Sequence, residues 1–350
     1  MIQTKPQTPS PTADKGTLAT DFLRFFAIAL IVNSHMGQFY PIPQLAADGV
    51  LGNSIFFSLS GVGLALSKSN QKLSFGPWFW RRLTRIYPSL LIVVGIFIIL
   101  LDSQWDGTLI GFVRLAIWPT QFGFITQLLV FYIPYYFVSK LDRKYLRILF
   151  ALLSIPFLTT YFSSLNADGL QVADTYLHPL NPINWIFYFQ MMVLGGLVAK
   201  EISLKNPFLI RMSNEYVAFG SFIAASFAYV SVKALVVLNL LQNYYFLLNL
   251  FIIIIIASLF LISTNRRVKD FLSRPIVEPT VTLIAGLTLE IYLVHVCLLE
   301  FSFFRNLIFP FNIIVFVAFS ILLAFLVQLV ALRIQARLRV SNAGSHSISK

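Results

Sequence analysis

Charge is what this sequence has least of. Only 11% of its 350 residues are Asp, Glu, Lys or Arg, whereas 57% are hydrophobic and 35 are Phe. A soluble domain carries roughly a quarter charged residues, so there is too little polar side chain here to cover a water-facing surface. Soluble dehydrogenases, kinases and DNA-binding domains are excluded on that ground. Cysteine is scarcer still. The single Cys297 excludes a disulfide framework, a zinc knuckle and an iron–sulfur centre, and reads as a small apolar packing residue.

What the chain does have is long apolar runs. About 20 apolar residues of helix cross a hydrocarbon core of about 30 Å. Runs of this kind fall at 18–36, 50–67, 86–101, 121–138, 145–162, 183–199, 215–235, 244–264, 281–301 and 311–333. Unbroken stretches such as FIIIIIASLFLI lack the alternation of a membrane β-barrel. The expected fold is an all-α polytopic membrane protein, a bundle of about ten transmembrane helices. Residues 1–17, polar and rich in Pro, Thr and Ser, read as a flexible cytoplasmic tail. Residues 18–335 form the bundle and 336–350 a second cytoplasmic tail. No small-residue cleavage site follows the first run, which marks an uncleaved span rather than a signal peptide. The segment 109–120 is too short to span and is expected to lie in the interface.

The net charge of +12 then needs no nucleic acid, because membrane proteins concentrate Lys and Arg in cytoplasmic loops. With the N-terminus inside, 23 of the 26 basic residues fall on inner segments. Only Arg114, Lys233 and Arg305 fall outside. That split predicts that both termini are cytoplasmic in a multi-pass protein of the plasma membrane, and an odd number of spans would destroy it. The longest outer segment, 163–184, is polar and contains Pro179 and Pro182.

Ionisable residues inside spans are costly and face the bundle interior or a water-filled cavity. In the first span Arg24 and His35 are 11 apart, which turns them only about 20° from a common face and separates them by ~16 Å along the axis. Asp21, three residues before Arg24, is placed to pair with it. The competing account has Arg24 snorkelling to lipid phosphate and His35 capping the span at the outer interface. In the second span Ser58, Ser60, Gly61 and Gly63 permit close helix approach. An intramembrane protease using Ser60 and His295 fails because position 58 is Ser where that motif needs Gly.

Before the third apolar run, RRLTRIYP at 81–88 crowds Arg81, Arg82 and Arg85 into one turn beside Tyr87. Arg82 and Arg85 are neighbours on one helix face and can clamp a phosphate. The alternative is an ordinary inner basic cluster anchored by Trp78 and Trp80. In the ninth run Glu290 and His295 stand in an otherwise apolar helix. Their offset of five points them about 140° apart, so they are not expected to bond each other. Tyr292 shares a face with His295.

Taken in order, Arg24 and His35 with ten residues between them, FFSLSG at 56–61, RRLTRIYP at 81–88 and TLEIYLVH at 288–295 resemble the acyltransferase-3 family of integral membrane acyltransferases. The resemblance implies transfer of an acyl group, commonly acetyl, from cytoplasmic acyl-CoA to a hydroxyl of an extracytoplasmic glycan or cell-envelope carbohydrate. It makes His35 the catalytic histidine and Arg24 its partner, with Arg82 and Arg85 as the donor-binding pair. Asp21, Ser60, Tyr87, Glu290 and His295 are expected to support the cavity. Acyl-CoA enters as donor substrate, and neither a bound cofactor nor a metal is expected.

The chemistry fits the residues. Three arginines at the inner surface suit phosphates, and the helix length from Arg24 to His35 suits a pantetheine arm. Histidine ordinarily titrates near working pH, so His35 can act as a general base or carry the acyl group transiently. A transporter or flippase of a glycan or lipid-linked sugar is the other reading, but the two halves show none of the related broken helices many transporters carry.

Overall fold

The computed structural model describes residues 15–46, 49–67, 73–100, 108–117, 119, 122–164, 182–203, 214–238, 240–241 and 246–347. Most of the first tail, most of the 163–184 segment, and Lys68, Lys72, Lys205 and Arg211 lie outside them. Among the described residues there are helices and no strands. They are α1 (Lys15–His35), α2 (Gly49–Leu66), α3 (Phe75–Leu100), α4 (Gly123–Val138), α5 (Arg143–Leu152) and α6 (Ile155–Ser164). The chain continues with α7 (Pro182–Ser203), α8 (Glu215–Val237), α9 (Phe246–Thr264), α10 (Arg266–Leu272), α11 (Val277–Gly286), α12 (Thr288–Leu298) and α13 (Phe311–Ser347).

Among the described residues six helices are long and apolar enough to cross a membrane, and seven if α11 and α12 count as one bent span. The difference from ten has local causes. The run at 145–162 is broken between α5 and α6, because Pro156 has no N–H to give the carbonyl of Leu152. Helix α4 has only 16 residues. The run at 86–101 occupies the second part of α3, whose first part carries the three arginines. At the other end of the chain α13 reaches Ser347, so residues 336–347 of the segment read as a tail continue the last helix. The short segment at 109–117 is helical, with a π turn over 113–117.

Helices α2 and α7 form the closest contact, and glycine makes it possible. A Cβ on Gly61 would lie 2.0 Å from the Met192 carbonyl oxygen, and one on Gly195 would lie 1.8 Å from that of Ser58. No side chain fits there. The Ser58 hydroxyl lies 3.0 Å from the Met191 carbonyl across the contact, and the Tyr135 hydroxyl donates to Gly61 at 3.0 Å. In lipid, where apolar burial alone favours no partner, such close approach and interhelical hydrogen bonding hold helices together. Helix α1 lies against α2 and α11, and α12 lies among α1, α3 and α13. An ion cluster ties α5 to the end of α7: Arg143 reaches Glu201 at 3.1 Å and Arg147 pairs with the same carboxylate.

The ninth apolar run is the irregular one. Helices α11 and α12 meet at 68°. The Gly286 carbonyl, which a continuous helix would pair with the N–H of residue 290, instead accepts from Gln328 Nε2 at 2.7 Å. Thr288 Oγ1 donates to Ala285 at 3.1 Å. A break inside a span is tolerated when neighbouring side chains take up the freed carbonyls in this way.

Candidate active site

Two helices bring the cations together. Arg24 on α1 and Arg82 and Arg85 on α3 line one cavity of about 180 Å³. Ser60 and Gly63 of α2 form part of its wall, as do Phe124 and Tyr132 of α4 and Thr288, Leu289 and Tyr292 of α12. This resolves the small residues of α2 into two roles. Ser58 and Gly61 serve the α7 contact, whereas Gly63 has no atom within 4 Å of its would-be Cβ and borders open space with Ser60.

Asp21 binds Arg24 at 3.1 Å and is the only acid that pairs with these three arginines among the described residues. Arg82 is different. Its guanidinium lies 5.3 Å over the Trp78 ring, and its Nε and Nη2 atoms are buried with no hydrogen-bond partner. Buried charged donors ordinarily have acceptors. Thr288 and Leu289, the first two residues of α12, line the same cavity.

His35 ends α1, and His295 lies in the C-terminal half of α12. The two ring nitrogens His35 Nδ1 and His295 Nε2 are 3.1 Å apart, with the rings tilted at 43°. His295 is fully buried, whereas His35 is exposed. The tautomers follow from the partners. His295 Nδ1 lies 2.9 Å from the Ile291 carbonyl, which can only accept, so that nitrogen carries the proton. In neutral His295 the Nε2 atom then has a lone pair and accepts from His35 Nδ1–H. The remaining nitrogen of neutral His35, Nε2, is left unprotonated. The accessible imidazole is thus held as a base by the buried one.

The other candidates part company. Glu290 is buried and accepts from Ser89 at 2.6 Å, so it joins α12 to α3 and does not line the cavity. Tyr87 donates to the Ile117 carbonyl at 2.8 Å and is likewise a structural tie. Glu290 and His295 have separate partners, as their angular offset predicts. Among the described residues no three His, Cys, Asp or Glu side chains are grouped to hold a metal ion. In the sequence Tyr292 is marked only by the face it shares with His295. It links the two parts of the site, since it lines the cavity and packs edge-on against His295 with ring centroids 5.7 Å apart.

Fold and site together define a multi-pass membrane protein with an arginine-lined cavity close to a histidine pair. The chain belongs to the acyltransferase-3 family: the family model, described as an acyltransferase domain, matches residues 18–333, nearly the whole chain. It is therefore a membrane acyltransferase of the kind that moves groups other than aminoacyl groups. No curated protein and no solved structure matches the chain.

Proposed function

We propose that this acyltransferase takes its acyl group, commonly acetyl, from cytoplasmic acyl-CoA and delivers it to a hydroxyl of an extracytoplasmic glycan. The observation that carries the donor side is Arg82, whose buried guanidinium nitrogens face no acceptor of the protein in a cavity shared with Arg24 and Arg85. Three cations and one carboxylate leave the cavity positive, which suits the phosphates of coenzyme A. The inward bias of Lys and Arg in the sequence supports donor entry from the cytoplasm.

In this reading His35 Nε2 accepts the proton of the acceptor hydroxyl as that oxygen adds to the thioester carbon. The resulting imidazolium keeps its Nδ1–H bond to His295. The C–S bond then breaks, and the departing thiolate recovers the proton from His35. General-base assistance of this kind contributes typically about 10²–10⁴ in rate. Exposure of His35 beside a buried His295 suits an acceptor that arrives from outside the bundle.

Mass spectrometry of the surface carbohydrate from cells with and without the protein tests the reading. The expected result is an acyl mass increment that appears only with the protein and vanishes in Arg82→Ala. Identical spectra with and without the protein would overturn it.

A further inference from the structure

Tyr292 carries chemistry that the proposed reaction has not yet used. It sits on α12 one turn before His295, between that residue and the arginine-lined cavity. Its ring is fixed on two sides, by Phe124 at 5.3 Å and Phe122 at 6.5 Å between centroids, both edge-on. Its hydroxyl oxygen accepts the backbone N–H of Phe124 at 3.2 Å. Phe124 is the second residue of α4, and its N–H is one of those a helix cannot satisfy from within.

A phenol has one proton to donate and can accept as well. Here the accepting role is filled, by a donor at the positive end of a helix. The proton is not: among the described residues no acceptor takes it, although Tyr292 is only 7% exposed. A buried hydroxyl whose oxygen is pinned and whose proton is unspent, at the wall of a cavity, is a preorganised donor. Such donors are most effective where negative charge develops during reaction.

We infer that Tyr292 is the oxyanion donor of the acyl transfer, a role that rests on the donor and base assigned above. When the acceptor oxygen bonds to the thioester carbon, the carbonyl electron pair moves onto its oxygen. The Tyr292 O–H hydrogen-bonds that oxygen and keeps its own proton. The carbonyl then re-forms as the C–S bond breaks, and the thiolate takes the proton held by His35. The Phe124 N–H strengthens the phenol as a donor by withdrawing charge from its oxygen.

The test is Tyr292→Phe, which removes one oxygen and keeps the ring that packs on Phe124 and His295. Membranes of expressing cells, which contain their own acceptor, are given labelled acetyl-CoA, and incorporation into carbohydrate is followed. Binding of acetyl-CoA and the melting temperature are measured on the purified full chain in detergent. The expected result is an initial rate lowered about 10²–10³-fold, the usual cost of one oxyanion donor, with acetyl-CoA binding and melting temperature essentially unchanged. A rate within a few-fold of the parent overturns the assignment. So does a rate loss matched by loss of folded protein or of donor binding, which would make the hydroxyl only a cap of α4. Failure of the underlying reading has a different signature. The parent itself would incorporate no label, or Arg82→Ala would bind acetyl-CoA as tightly as the parent, and either result removes the donor site and this role with it.

Discussion

His295 shows how much a single nitrogen decides. Because its Nδ1–H is committed to the Ile291 carbonyl, its Nε2 can only accept, and His35 is held with its outward nitrogen free. Glutamine at position 295 keeps an acceptor, and leucine removes it. His295→Gln should therefore lose less than about tenfold in acyl transfer, and His295→Leu clearly more. A wrongly held imidazole tautomer costs as much as ~10⁴ in the best-studied triads, and even a small part of that is measurable. The same label-incorporation assay at matched membrane expression reads both variants. Equal rates for the two would show that His295 is packing alone. The pairing itself spans 260 positions of sequence, so no local pattern announces it. Arg24 and His35, by contrast, are legible as a pair because both belong to one helix, whose 100° turn per residue places them.

At the scale of elements, glycine spacing separates what holds the bundle from what shapes the site. Gly195→Ala places a methyl group 1.8 Å from the Ser58 carbonyl oxygen, so α2 and α7 must part. Overpacking of this kind costs about 1–3 kcal/mol, and the purified variant should melt several degrees below the parent. Gly63→Leu meets no neighbouring atom at its Cβ and should melt like the parent while filling the cavity and weakening acetyl-CoA binding. Thermal unfolding and donor titration in detergent distinguish the two. The reverse pattern would mean that Gly63 is the packing residue. The sequence presents Ser58, Ser60, Gly61 and Gly63 as one small-residue stripe, because the side a residue faces depends on which helix lies opposite. Breaks are only partly legible for a related reason. The run at 145–162 reads as one span although Pro156 interrupts it, and the 68° bend at the start of α12 is sustained by Gln328 from a distant helix.

For the whole molecule, composition places the chain in a membrane, with 57% hydrophobic residues, and the unbroken apolar runs make it helical. Orientation is read from the distribution of Lys and Arg. Labelling in intact cells checks it: with Cys297 replaced by Ala, a cysteine at Ser164 should react with an impermeant thiol reagent and one at Ser10 should not. The opposite pattern would place His35 on the cytoplasmic side and remove the extracytoplasmic acceptor. The number of spans is less legible than their existence, because Arg81, Arg82 and Arg85 extend α3 beyond its apolar part and α4 falls short of a full crossing. Those departures are where the cavity lies. Polar side chains carried into a bundle displace regular spans, so the sequence pattern is weakest where the chemistry is.

The most direct measurement is the initial rate of acyl incorporation by His35→Gln, in membranes supplied with labelled acetyl-CoA and matched for folded protein. Glutamine can hydrogen-bond but cannot take a proton from the acceptor hydroxyl. The expected result is a loss of about 10²–10⁴-fold with acetyl-CoA binding retained, because His35 is not among the residues that line the arginine cavity. A His35→Gln protein that acylates at the parental rate would contradict the account, since no exposed imidazole base would then be needed for the transfer.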